Sequence, residues 1–133
     1  MEKDYIQPNF YHFSEDSLWL VSEALKVVKS SMFFKEEFNL FDIFAGCGVV
    51  GIEFIKKNDN FSNIKEAFFI EKNSLMFKCL EENISLHLPD RKDIDVNLVS
   101  ADFFKYFKKV ELIGNCKNNF IIMNPPYFLS NPK

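Results

Sequence analysis

The feature that most constrains this chain is a grammar repeated four times: a short apolar run, then an abrupt polar or glycine stop. Phe38–Phe44 ends at Ala45-Gly46-Cys47-Gly48, and Ala67–Ile70 ends at Glu71. Ile94–Val99 ends at Ser100-Ala101-Asp102, and Asn119–Met123 runs into Asn124-Pro125-Pro126-Tyr127. The stretches between them have helical character: Val49–Lys57, Ser74–Leu86 with Leu75, Cys79, Leu80 and Ile84 at helical spacing, and Phe103–Val110. Short apolar strands alternating with helices predict an α/β fold, a parallel sheet with helices on both faces. Right-handed crossovers restrict the topology sharply. Every polar stop then lies at a strand's carboxyl end, where open α/β sheets bind their ligands.

Nothing divides the chain into two units. It has 133 residues, 47% hydrophobic and 26% charged, with no internal repeat and no linker, as one domain of this size should. Ser14-Glu15-Asp16-Ser17 offers capping side chains ahead of Leu18, Leu20, Val21, Leu25 and Val28, which predicts a helix to about Ser31. Residues 1–37 read as an N-terminal helical segment and residues 38–133 as the sheet core. The net charge of -3 argues against a broad phosphate-binding surface and leaves only local patches, Lys56-Lys57 or Lys105, Lys108 and Lys109. Three cysteines and two histidines without ligand spacing speak against a metal. With no signal peptide and no apolar stretch of membrane-spanning length, the expectation is a cytoplasmic protein with reduced thiols and no membrane partner.

The first stop, within Asp42-Ile43-Phe44-Ala45-Gly46-Cys47-Gly48-Val49-Val50-Gly51, places Ala45, Gly46 and Gly48 where a ligand can approach bare backbone. A Gly-x-Gly turn alone is also an ordinary tight βα turn. Glu71 strengthens the reading: it lies 20 residues beyond Gly51, at the tip of the next strand, where a carboxylate can accept both hydroxyls of a ribose. The other reading of Glu71 is a cap for the helix that follows. Asp42 would repel a pyrophosphate but can hold an ammonium, directly or through water. Asp102 can accept from an adenine amino group, with the Phe103 ring or backbone N–H beside it. Three carboxylates around a cationic, phosphate-free nucleoside point to S-adenosyl-L-methionine as cofactor.

Asn124-Pro125-Pro126-Tyr127 is the most specific tetrapeptide. An amino group conjugated to a ring or carbonyl is a poor nucleophile, because its lone pair is delocalised. The Asn124 side-chain oxygen and the Pro125 carbonyl can accept its two N–H bonds and aim the lone pair at a methyl carbon. Pro125 and Pro126 stiffen the loop, and Tyr127 offers a face for stacking a flat target.

Together these segments resemble the class I S-adenosylmethionine-dependent methyltransferases that modify amino nitrogens. Phe13-Ser14-Glu15-Asp16-Ser17-Leu18 resembles a segment of the tRNA adenine N6-methyltransferases acting on A37 of a valine tRNA, in the small-domain methyltransferase family. The resemblance implies that Phe13, Ser14 and Asp16 lie beside the cofactor, and that the acceptor is adenine N6 in tRNA or another RNA. Phe44 departs from the glycine frequent in that family, and the D-x-F-A-G-x-G form is similar to the 16S guanine N2-methyltransferases. Those carry DPPY or DPPF, so Asn124 favours adenine. Protein glutamine N5 and DNA adenine N6 remain alternative acceptors, and a non-catalytic cofactor-binding subunit is a further alternative. The resemblance implies a Rossmann-like parallel sheet of strand order 3-2-1-4; the family's sheet has seven strands, whereas about four are legible here. The run Phe120–Met123 is then expected to be an open apolar edge, covered by a missing C-terminal half, a second polypeptide or a second copy.

Overall fold

The computed structural model describes residues 4–31, 35–58, 63–109 and 118–125. In chain order these form α1 (Glu15–Ser30), β1 (Phe38–Ile43), α2 (Val49–Lys57), β2 (Ile64–Glu71), α3 (Ser74–His87), β3 (Asp95–Ser100), α4 (Phe103–Lys109) and β4 (Asn118–Met123). The four strands form one sheet in the order β3-β2-β1-β4, and every pair is parallel. The Rossmann-like α/β order expected from the sequence is therefore the observed one.

Alternation along each strand sorts the core into two faces. Phe38, Leu40, Ala67 and Phe69 face a core shared with Val21 and Ala24 of α1, Phe54 and Ile55 of α2, and Leu80 of α3. Phe41, Ile43 and Ile70 face the other way, against Phe103 and Tyr106 of α4. All six residues of β1 are buried, as a central strand of a parallel sheet requires. Fully burying a side chain such as Leu40, Ile52 or Phe69 contributes about 1.5–3 kcal/mol.

Element ends differ from expectation for local reasons. β2 begins at Ile64, three residues before the apolar run, because its backbone already pairs with β1 there: Phe38 N–H donates to Asn63 O at 2.9 Å. The charged Lys65, 3.8 Å from Glu37, hides that start in the sequence. Phe44 leaves the first strand and enters a turn. Ser14 occupies the N-cap position of α1, but its side chain makes no capping bond.

A single buried amide fastens the N-terminal segment. Asn83 Oδ1 accepts from Ile6 N at 2.8 Å, while its Nδ2 donates to Ile6 O at 2.8 Å and to Cys47 O at 2.9 Å. Tyr5 donates its hydroxyl to the buried Glu53 at 2.5 Å and stacks on His87 with ring centroids 4.1 Å apart. These contacts lay residues 4–13 across α2 and α3, with Tyr11 and Phe13 next to the turn after β1.

At the β4 edge, Phe120 stacks on Phe54 and Ile122 is buried, whereas Ile121 and Met123 on the opposite face are 46% and 44% exposed. Among the described residues β4 pairs with β1 alone. No described helix is long and apolar enough to cross a membrane.

Candidate functional site

The turn after β1 is built from three left-handed residues: Phe44 at φ 60°, Gly46 at 58° and Gly48 at 92°. Gly48 N donates to Ala45 O at 2.9 Å, and Ala45 N donates to Ile70 O at 3.0 Å, which closes the turn against β2. The positive φ favours glycine at Gly48, and a Cβ there would also press on the Leu80 side chain, 2.6 Å from its Cδ1. Phe44 has no such freedom, and its backbone stores on the order of 1–2 kcal/mol of strain. Its ring packs edge-on against Phe103, centroids 5.7 Å apart.

Asp42 sits beneath this turn. It continues the Phe38–Leu40 row into the helix-covered face and is 2% exposed. Its Oδ2 accepts from Gly51 N at 2.9 Å, bracing the first turn of α2. Burial pushes its pKa up to about 7, with the Gly51 N–H opposing that rise and Glu71 adding to it. The sequence reading aimed this carboxylate at an ammonium; the structure points one of its oxygens into the protein's own backbone.

Glu71, at the tip of β2, holds two backbone N–H groups. Its Oε1 accepts from Gly46 N at 2.9 Å and its Oε2 from Asn73 N at 2.8 Å. Capping of α3 falls instead to Asn73, whose Oδ1 accepts from Leu75 N at 3.0 Å and Met76 N at 3.1 Å. Each Glu71 oxygen retains acceptor capacity for a further donor. At the next strand end, Asp102 Oδ1 caps α4 by accepting from Phe104 N at 2.9 Å and Lys105 N at 3.3 Å, and its Oδ2 lies 3.5 Å from Lys72 Nζ.

Asn124 follows β4 and continues the row of Phe120 and Ile122 towards the face that α1 covers. Its Nδ2 donates to Ser17 Oγ at 3.3 Å. Asn124 and Ser17 line one small open cleft with Tyr11, Phe13, Phe44, Ala45, Cys47, Val49 and Val50. The cleft thus joins three distant stretches: the N-terminal segment, the glycine turn and the loop after β4. Burial pushes the Cys47 thiol up to about 12, so it is a packing group here, with its Sγ 3.9 Å from Met76 Sδ.

Of the residues singled out from the sequence, Phe13, Ala45 and Asn124 line this cleft, and Gly46, Gly48, Glu71 and Asp102 ring the neighbouring strand ends. Ser14 and Asp16 are exposed and outside the lining, on the outer side of the first turn of α1. Pro125 is half-buried; Pro126 and Tyr127 lie outside the described residues. Ser17 and Tyr11 were missed. Ser17 had a signal, since it heads the buried stripe Ser17, Val21, Ala24, Val28. Lys56 and Lys57, one of the two basic patches, approach the buried Glu53 at 3.7 and 3.8 Å. The side chains of Lys108 and Lys109 lie outside the described residues. Among the described residues no group of acidic, histidine and cysteine side chains could hold a metal ion.

Residues 23–132 match the family described as conserved hypothetical protein 95. No curated protein matches this chain. Among solved structures, the methyltransferase subunit of a type I restriction-modification system from Streptococcus thermophilus superposes with a TM-score of 0.56 and 18% identity, over 93% of this chain and 24% of that one. P. horikoshii TYW2 in complex with MeSAdo gives a TM-score of 0.37 and 24% identity, over 59% of this chain and 26% of that one. The chain spans about a quarter of the length of each. The first likeness is one of fold.

Proposed function

We propose, from the premise that this chain belongs to the family described as conserved hypothetical protein 95, that it binds S-adenosyl-L-methionine. On this reading it transfers the methyl group to an exocyclic amino nitrogen, adenine N6 of an RNA, a tRNA in the first instance. The observation that carries this reading is Asn124 facing into the same cleft as the turn at Ala45.

The donor set suits such a cofactor. Asp42 and Glu71 meet at the turn after β1, and two carboxylates there disfavour a pyrophosphate and favour a cation. Glu71 would accept the ribose hydroxyls with its remaining lone pairs, and Asp102 with Phe103 would meet the adenine edge. Ala45, Gly46 and Gly48 would present backbone, and Asp42 would hold the turn in shape from below. When bound, the cofactor supplies an electrophilic methyl group on a positively charged sulfur. Asn124 Oδ1 and the Pro125 carbonyl would accept the two N–H bonds of the acceptor nitrogen, fixing it in line. Pro126 and Tyr127 would keep the roles that their own chemistry suggests, a stiff loop and a stacking face.

A second reading has an observation of its own. Ile121 and Met123 stand exposed on β4, which among the described residues pairs with β1 alone, and this favours a chain that works against a second polypeptide or a second copy. Protein glutamine N5 and DNA adenine N6 present the same delocalised nitrogen and are the competing acceptors. A cytoplasmic location belongs to the same proposal.

The test is calorimetric titration with S-adenosyl-L-methionine, followed by transfer of a tritiated methyl group to an unmodified tRNA transcript, a DNA duplex and a glutamine-containing peptide. Saturable one-to-one binding and labelled RNA are expected. Label in DNA or peptide alone would replace the acceptor, and a folded chain that binds no cofactor would overturn the proposal.

A further inference from the structure

Asn124 presents two groups of opposite polarity on one flat amide, the acceptor Oδ1 and the donor Nδ2. Only Oδ1 can hold the N–H of an incoming amino group; Nδ2 would meet it donor to donor. The terminal torsion of asparagine is broad and nearly two-fold, so a half-turn exchanges the two groups at small steric cost. Something has to choose between them.

We infer that Ser17 makes that choice, and is a positioning residue for Asn124. Its Oγ receives the Nδ2–H at 3.3 Å from a residue 107 positions away. The hydroxyl cannot wander: Ser17 is 2% exposed, its backbone N–H is held by Ser14 O at 3.1 Å, and Val21, Ala24 and Val28 anchor the same face of α1 in the core. In the structure the Ser17 hydroxyl takes the acceptor role towards Nδ2. With Nδ2 engaged on α1, Oδ1 is the group left for the acceptor. This inference rests on the methyl-transfer reading and deepens it. It also separates Ser17 from its neighbours: Ser14 and Asp16, assigned to the cofactor by resemblance, point outward, whereas Ser17 reaches the other half of the site.

The experiment pairs Ser17→Ala with Ser17→Thr in the full chain. The Asn124 side-chain amide resonances, identified by their loss in Asn124→Ala, are compared in 15N-labelled protein. Transfer to the tRNA transcript and calorimetric affinity for S-adenosyl-L-methionine are measured alongside. In Ser17→Ala the Asn124 amide resonances should shift while the backbone spectrum persists. The kcat should fall about tenfold to a hundredfold, as misorientation of a reacting group does, with cofactor affinity within about twofold of the parent. Ser17→Thr, which keeps the hydroxyl, should recover most of the kcat. Unmoved amide resonances would overturn the inference. So would an unchanged kcat, or a loss of cofactor affinity in proportion to kcat, which would make Ser17 part of the cofactor site. A parent chain that binds cofactor but labels no RNA would remove the acceptor proposed above, and the amide resonances would still decide the role of Ser17.

Discussion

Glu71 Oε1 accepts the Gly46 N–H at 2.9 Å, so the tip of β2 holds the left-handed turn that follows β1. The bond ties together the two strand ends between which a nucleoside would lie. The same carboxylate holds Asn73 N at 2.8 Å, and Asn73 in turn caps α3. Glu71 therefore acts on the turn and on the next helix at once. Replacing it by alanine should lower affinity for S-adenosyl-L-methionine at least tenfold in calorimetry, while lost hydrogen bonds cost about 1 kcal/mol each in denaturant unfolding. Equal affinity in the variant would remove Glu71 from the cofactor site.

Asp42 sets a pH dependence of stability. Its folded pKa is raised to about 7 from an ordinary value of 3.8, first by burial. Between those values the folded state keeps a proton that the unfolded chain has released, so stability falls as pH rises through that window. Asp42→Asn keeps an acceptor for Gly51 N–H and removes the charge. At pH 8 the variant should exceed the parent by on the order of a few kcal/mol, with a flatter profile between pH 4 and 7. Superimposable urea midpoints of the two proteins across that range would contradict the assignment.

Gly51 shows which of two opposed effects wins. In an ordinary helix interior, alanine in place of glycine gains about 1 kcal/mol. Here a Cβ would lie 2.7 Å from Asp42 Oδ2 and run into the Phe69 ring, both fixed in the core. Gly51→Ala should destabilise by about 1–3 kcal/mol, the usual cost of overpacking. A gain in thermal midpoint would mean that α2 can retreat from β1.

Phe44 offers a paired comparison. Phe44→Ala and Phe44→Gly both delete the ring that meets Phe103, but only glycine relaxes the positive φ. The glycine variant should be the more stable of the two by about 1 kcal/mol. If alanine is as stable as glycine, the turn has another conformation open to it.

The sheet order was legible because each strand in the sequence is closed by a polar or glycine stop, and such stops survive any detail of packing. Asn124 and Glu71 were legible for the same reason, being fixed to strand ends. What escaped depends on partners far along the chain. Asn83 looks like any polar helix residue until Ile6 and Cys47 are seen to share its amide. The start of β2 is hidden by Lys65 and Glu66, because backbone pairing with β1 outweighs their side chains. Phe44 continued the apolar run and so read as strand, although its backbone belongs to the turn. Asp42 read as a ligand because a carboxylate at a strand end invites one; its bond to Gly51 N–H, made by one of its oxygens, was not legible.

The strand order also separates short-range pairings from one long-range pairing. β1, β2 and β3 are joined by single helical crossovers and can zip together while the rest of the chain is still being made. The partner of β1 on its other side is β4, with Asn39 meeting Asn119 across 80 residues. So distant a pairing closes a long loop and is intrinsically slow. The turn at Gly46 needs only β1 and β2, whereas Asn124 reaches the cleft beside it through the long-range pairing of β4.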